Sequence, residues 1–181
     1  MDQEALSVLN FWFEEVNPEL WFAKNPDFDQ MIRQKFLGIY KKVERCETFN
    51  WRLHPRGRLA EILVLDQFSR NIFRNTREAF QNDSLALVLA QAAVATKDDQ
   101  KLKLNERAFV YMPYMHSESE IIHEEAVRLF SQQGLERSLE FELAHKSLID
   151  RFGRYPHRNE ILGRVSTRQE IDFLKTPGSS F

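Results

Sequence analysis

Apolar residues recur at three- and four-residue intervals along nearly the whole chain, and strict alternation of apolar and polar residues is hard to find. A period near 3.6 residues gives each segment one buried stripe, so the pattern predicts an all-α protein without strands. Helices are expected over residues 4–14, 27–47, 56–73, 84–96, 105–111, 118–132, 135–152 and 167–174. In the second, Phe28, Ile32, Phe36, Ile39, Tyr40 and Val43 form the buried stripe, while Arg33, Lys41, Lys42 and Arg45 stay in water.

The breaks have mechanisms. Pro18, Pro26, Pro55, Pro113, Pro156 and Pro177 are expected between helices, where a missing amide donor does little harm. Gly134 and Gly153 sit where helices should end. Thr167 with Glu170, and Ser117 with Glu120, have the spacing of capping boxes. There is no Gly/Ser-rich linker, low-complexity tract or sequence period. Residues 1–181 are therefore read as one domain, an array of antiparallel helical hairpins.

Composition narrows the partners. Fifteen Phe, three Trp and four Tyr supply a large core, within which Trp12 and Trp21 are expected to pack with Phe11, Phe13 and Phe22. A formal net charge of −2 predicts no nucleic-acid partner, and no apolar run approaches the roughly 20 residues of a membrane span. Cys46 is the one cysteine and reads as an incidental thiol at a helix end. The acidic, interrupted start lacks the pattern of a signal peptide, and the cytoplasm is the expected location.

Candidate chemistry concentrates in three segments. The first, RFGRYPHRNEILGR at 151–164, combines a glycine able to end a helix, a proline that bends the chain and a cluster of polar heads. Arg154 and Arg158 have the fork geometry to clamp a carboxylate or phosphate, beside His157 and Asn159; caps on helix ends would use the same residues. In DQFSRNIFRNTR, residues 66–77, Asp66, Arg70, Arg74 and Arg77 share a helical face, which reads either as a solvated charged face or as part of an anion site. In YMPYMHSESEIIHEE, residues 111–125, His116 paired with Glu118 would make a general base. His116, Glu120 and His123 miss the spacing of zinc-protease ligands, so no metal is expected. His145 reads as a half-buried interior histidine. No phosphate-binding glycine loop, nucleophile elbow or dinucleotide fingerprint is present, and no cofactor is expected.

Seven landmarks in order carry a resemblance that runs almost end to end. They are FWF at 11–13, WF at 21–22 with FD at 28–29, LDQFSRNIFR at 65–74, AFQND at 79–83, YMPYMHSE at 111–118, the 151–164 segment and the ending PGSSF. By these the chain resembles the bacterial domain-of-unknown-function family nine-two-four. The resemblance implies an all-helical fold similar to tetratricopeptide-repeat arrays, although no repeat of about 34 residues is legible here. It also implies that Asp66, Arg70, Arg74, His116, Glu118, Arg154, His157, Arg158 and Asn159 are polar signature positions that converge. At His123 the chain departs from the glutamine expected after the HSE element. Phe181 matches the family ending and is expected to be a packed natural terminus.

Together these features predict a polar pocket that binds an anionic small molecule or an acidic peptide end through Arg70, Arg74, Arg154 and Arg158. His116 and His157 would select or protonate that ligand. Two alternatives stay open: a hydrolase- or lyase-type enzyme with His116 and Glu118 as general base, and a non-catalytic scaffold whose concave face binds a protein.

Overall fold

A computed structural model of the chain describes residues 1–179; Phe181, expected to pack at the terminus, lies outside the described residues. Helix α1, Gln3–Asn10, is capped by the Asp2 carboxylate and continues into a π-helical turn, Phe11–Glu15. Helix α2, Pro26–Glu44, begins at Asn25, whose side-chain oxygen accepts from Asp27 N and Phe28 N at 3.0 Å each. Two orphan amides of the first turn are thereby satisfied. Helix α3, Pro55–Leu63, runs through a second π-helical turn, Val64–Phe68, into α4, Ser69–Ile72. There follow α5, Asp83–Ala95, α6, Leu104–Met115, α7, Glu120–Phe130, α8, Glu136–Phe152, α9, Asn159–Leu162, and α10, Arg168–Leu174. No strand occurs among the described residues.

Helix α3 is central because almost every side of it is apolar or matched. Leu59, Ala60, Ile62 and Leu63 are wholly buried, and the helix packs on α1, α5 and α6. Aromatic residues fill the space between α1 and α2: Trp12 stacks on Trp21 at 6.1 Å, and Phe36 meets Phe68 at 4.8 Å. Each such large side chain taken fully from water contributes about 1.5–3 kcal/mol. Phe22 departs from the expected core, standing exposed against Phe109.

The region that builds the candidate site differs from the pattern in two places. Pro113 lies inside α6 and not between helices, and the helix continues to Met115. Met112, Pro113, Tyr114 and Met115 are all buried, so packing outweighs the one backbone hydrogen bond that proline removes. The Ser117–Glu120 capping box does not form, since α7 starts after Ser119 and the Ser117 carbonyl is bonded to His123 Nε2 at 2.8 Å. The Thr167–Glu170 box does form, and Gly153 ends α8 in the left-handed region at φ 67°. Among the described residues no helix is long and apolar enough to cross a membrane.

Candidate functional site

The π-helical turn between α3 and α4 places Asp66 and Gln67 in the interior, and such wide turns inside α-helices recur at functional sites. Asp66 is 1% exposed, and a carboxylate so deprived of water must be matched. Its Oδ2 accepts from Gln67 Nε2 at 2.7 Å, and its Oδ1 accepts from His116 Nδ1 at 2.7 Å and lies 3.4 Å from Arg70. Burial opposes ionisation of Asp66, but His116, once protonated in acid, the Arg70 charge and these hydrogen bonds outweigh it and hold the carboxyl below the usual range.

His116 caps the C-terminus of α6, where Pro113 and the buried residues after it fix its direction. Burial pushes its imidazole below the ordinary histidine value, with Arg70 adding to the effect and Asp66 opposing it. At neutral pH the ring is thus neutral, Nδ1–H donates to Asp66, and Nε2 is the nitrogen left as an acceptor. No hydrogen bond engages Nε2 among the described residues, and His116 lines a cleft of about 300 Å³. Phe80, Asp83, Pro113, Ser117, Glu118 and Arg158 form much of the remaining wall.

Asp83, in the wall of this cleft, joins two arginines, of which Arg158 lines the cleft as well. Arg70 grips Asp83 through two bonds of 3.0 and 3.1 Å, and Arg158 Nη1 donates to the same carboxylate at 3.3 Å. Arg158 Nη2 also donates to the His116 carbonyl at 3.2 Å. The Arg158 guanidinium lies between the rings of Phe80, at 4.7 Å, and Tyr155, at 4.5 Å. Burial lowers the Arg158 pKa, which Asp83 counters, and an arginine remains charged at any relevant pH.

Other expected members take different places. Glu118 lines the cleft but does not orient His116; its carboxylate accepts from Arg164 at 2.6 and 3.0 Å and from Tyr155 N at 2.8 Å. The carboxylate that orients His116 is Asp66. Asn159, fully buried, holds Arg164 Nε at 2.9 Å and thereby braces Glu118. Arg74 lies away from the cleft and pairs with Asp29. Arg154 is also elsewhere, bonded to Glu170 at 2.6 and 2.8 Å and to the Val165 carbonyl. His157 packs behind the wall, its ring 5.6 Å from that of Tyr155, and burial pushes its pKa down to about 4.

Behind the cleft, His123 is wholly buried. Its Nε2 donates to the Ser117 carbonyl, and its Nδ1 lies 2.6 Å from Glu142 Oε1. Burial raises the Glu142 pKa. His145 donates from Nδ1 to the Phe141 carbonyl, as an interior histidine does. Among the described residues no group of three metal-ligating side chains is assembled. Sequence reasoning passed over Asp83, Gln67, Phe80 and Arg164, although the first three stand inside the AFQND and LDQF landmarks and the last closes the 151–164 segment.

Three comparisons bear on this arrangement. The structure of a "Protein of Unknown Function ATU0120 from Agrobacterium tumefaciens" is similar, with a TM-score of 0.90 and 33% sequence identity over 95% of this chain and 97% of that one. No curated protein matches the chain. The family described as "Bacterial protein of unknown function (DUF924)" matches residues 8–178, and the chain belongs to that family.

Proposed function

We propose that the cleft binds a small anionic molecule and that the Asp66–His116 pair takes or gives a proton at that ligand. The observation that carries this reading is the state of His116: Nδ1 is fixed by a buried carboxylate, while the residue lines the cleft and its Nε2 is unengaged among the described residues. A neutral imidazole so held has one tautomer and a basic nitrogen aimed at whatever fills the cleft. The cleft volume of about 300 Å³ suits a small molecule or a single peptide end.

Arg158 takes part as a lining residue, and Arg70 through the Asp83 carboxylate that both hold. Both are held by Asp83, so they stabilise negative charge nearby without a change of position. A hydrolase- or lyase-type reaction would use His116 as the base, Asp66 as the group that keeps its tautomer, and these dipoles and charges to meet developing negative charge.

A thermal-shift screen against anionic metabolites tests the binding. A ligand present at 100 times its dissociation constant adds about 2.7 kcal/mol of stability. At least one anion should raise the melting temperature of the wild-type chain and lose that effect in His116→Gln. A screen in which His116→Gln responds like the wild type to every stabilising anion would contradict the reading.

A further inference from the structure

Arg77, which its spacing groups with Asp66, Arg70 and Arg74, lines the cleft and differs from the other guanidinium groups around it. Arg70 and Arg158 are bonded to Asp83, and Arg164 is bonded to Glu118. Arg77 forms no ion pair among the described residues; Nη2 donates to the Leu162 carbonyl at 2.9 Å and Nε to the Ile161 carbonyl at 3.3 Å. Among the charged side chains that line the cleft, Arg158 is bonded to Asp83 and Glu118 to Arg164, whereas Arg77 is bonded to carbonyls alone among the described residues. Glu78 is a charge neighbour of Arg77, but no carboxylate bonds its fork among the described residues.

The seat of Arg77 is built by a glycine. Gly163 ends α9 with φ 68°, and a Cβ placed there would come within 2.4 Å of Arg77 Nη2. Any side chain at 163 would push the guanidinium off the two carbonyls, so the backbone at the end of α9 is shaped to this arginine. The carbonyls hold the fork in place but cannot neutralise it. Between Arg77 and His116 the cleft wall includes Phe80, Leu87, Pro113 and Leu162, which offer hydrocarbon to a ligand.

We infer that Arg77 is the specificity-determining residue of the cleft and that the ligand class is a small aliphatic monocarboxylate. Its carboxylate pairs with the Arg77 fork, its hydrocarbon lies on the apolar wall, and the rest of the molecule meets His116 Nε2. A single carboxylate fits a lining guanidinium fork that no carboxylate bonds among the described residues. A phosphate group, with about 1.5–2 negative charges at neutral pH, would leave an excess negative charge beside Asp83 and Glu118. This inference rests on the proposed binding of an anion in the cleft and adds the anchor and the ligand class.

Hexanoate and inorganic phosphate serve as probes, titrated by calorimetry into the full chain and, with ¹⁵N-histidine labelling, followed at the His116 ring. The expected result is that hexanoate binds, moves the His116 Nε2 signal and binds at least about tenfold more tightly than phosphate. Arg77→Gln should weaken hexanoate by about tenfold or more while the melting temperature without ligand is unchanged, because the side chain is exposed and spans two carbonyls only. Gly163→Ala, which displaces the same guanidinium, should weaken hexanoate in parallel. Binding of hexanoate by Arg77→Gln with wild-type affinity overturns the role of Arg77. Phosphate binding that moves His116 and exceeds that of hexanoate overturns the ligand class and leaves the anion-binding reading standing. If neither anion moves the His116 signal, both fall.

Discussion

Asp66 and Arg158 are the two residues whose burial makes their partners decisive. In Asp66→Asn the amide keeps the shape but not the charge, and Arg70 retains Asp83. Loss of the charge-assisted bonds should cost about 1–3 kcal/mol in urea unfolding, and the His116 pKa should fall further because an attractive charge is gone. A rise in that pKa would mean that Asp66 does not act on His116 as described. Arg158→Lys should lower stability without ligand by about 1–3 kcal/mol, since an ammonium cannot bridge Asp83 and the His116 carbonyl while lying between two rings. Arg154→Lys should also destabilise, through Glu170, yet leave ligand binding in the cleft as it is. An equal loss of ligand affinity in Arg154→Lys would show that the two regions are coupled.

Among the elements, the contact of α3 with the turn at Phe49–Leu53 is the least forgiving. A Cβ at Gly57 would stand 2.0 Å from the Trp51 carbonyl oxygen, a distance only a shift of backbone relieves. Gly57→Ala should therefore cost at least about 2 kcal/mol in chemical denaturation despite its better helix propensity. A stability equal to or above wild type would contradict the close packing of this turn on α3. The sequence pattern carried the helices well wherever a single apolar stripe faced the core, as in α2, and where glycine or a Thr–Glu box marked an end, as at Gly153 and Thr167. It misplaced the end of α6 because Pro113 reads as a breaker until the buried surface around it is known. The site was legible as polar residue types in three segments. Their pairing was not, because Asp66 and His116 are 50 positions apart and the nearer Glu118 has the same chemistry. Arg74 and Arg154 were grouped with Arg70 and Arg158 for the same reason, since spacing along a helix does not say which carboxylate lies opposite.

For the molecule as a whole, buried histidines should set the acid limit of stability. Burial pushes the pKa of His145 down to about 3 and that of His157 to about 4. Arg158 acts in the same direction on His145, where the bond to the Phe141 carbonyl opposes it, and Arg158, Lys24 and Arg164 do so on His157, where Glu118 opposes them. The unfolded chain takes up these protons near pH 6.5 while the folded chain resists them, so the unfolded state binds more protons and stability falls as the pH drops. Each histidine contributes a slope of about 1.4 kcal/mol per pH unit from about pH 6.5 down to its folded value. Urea midpoints measured between pH 7.5 and pH 4.5 should decline from about pH 6.5. A midpoint that stays level until the carboxylate range would refute the buried, neutral state of these rings.

The central claim is that a buried carboxylate fixes His116 so that a basic nitrogen meets the cleft. Long-range ¹H–¹⁵N spectra of the histidine rings in the full chain, followed through a pH titration, test it most directly. The arrangement predicts that His116 is the Nδ1–H tautomer at neutral pH, with Nε2 unprotonated, and that the ring titrates below the ordinary histidine value. An Nε2–H tautomer, or a ring already protonated at neutral pH, would contradict it.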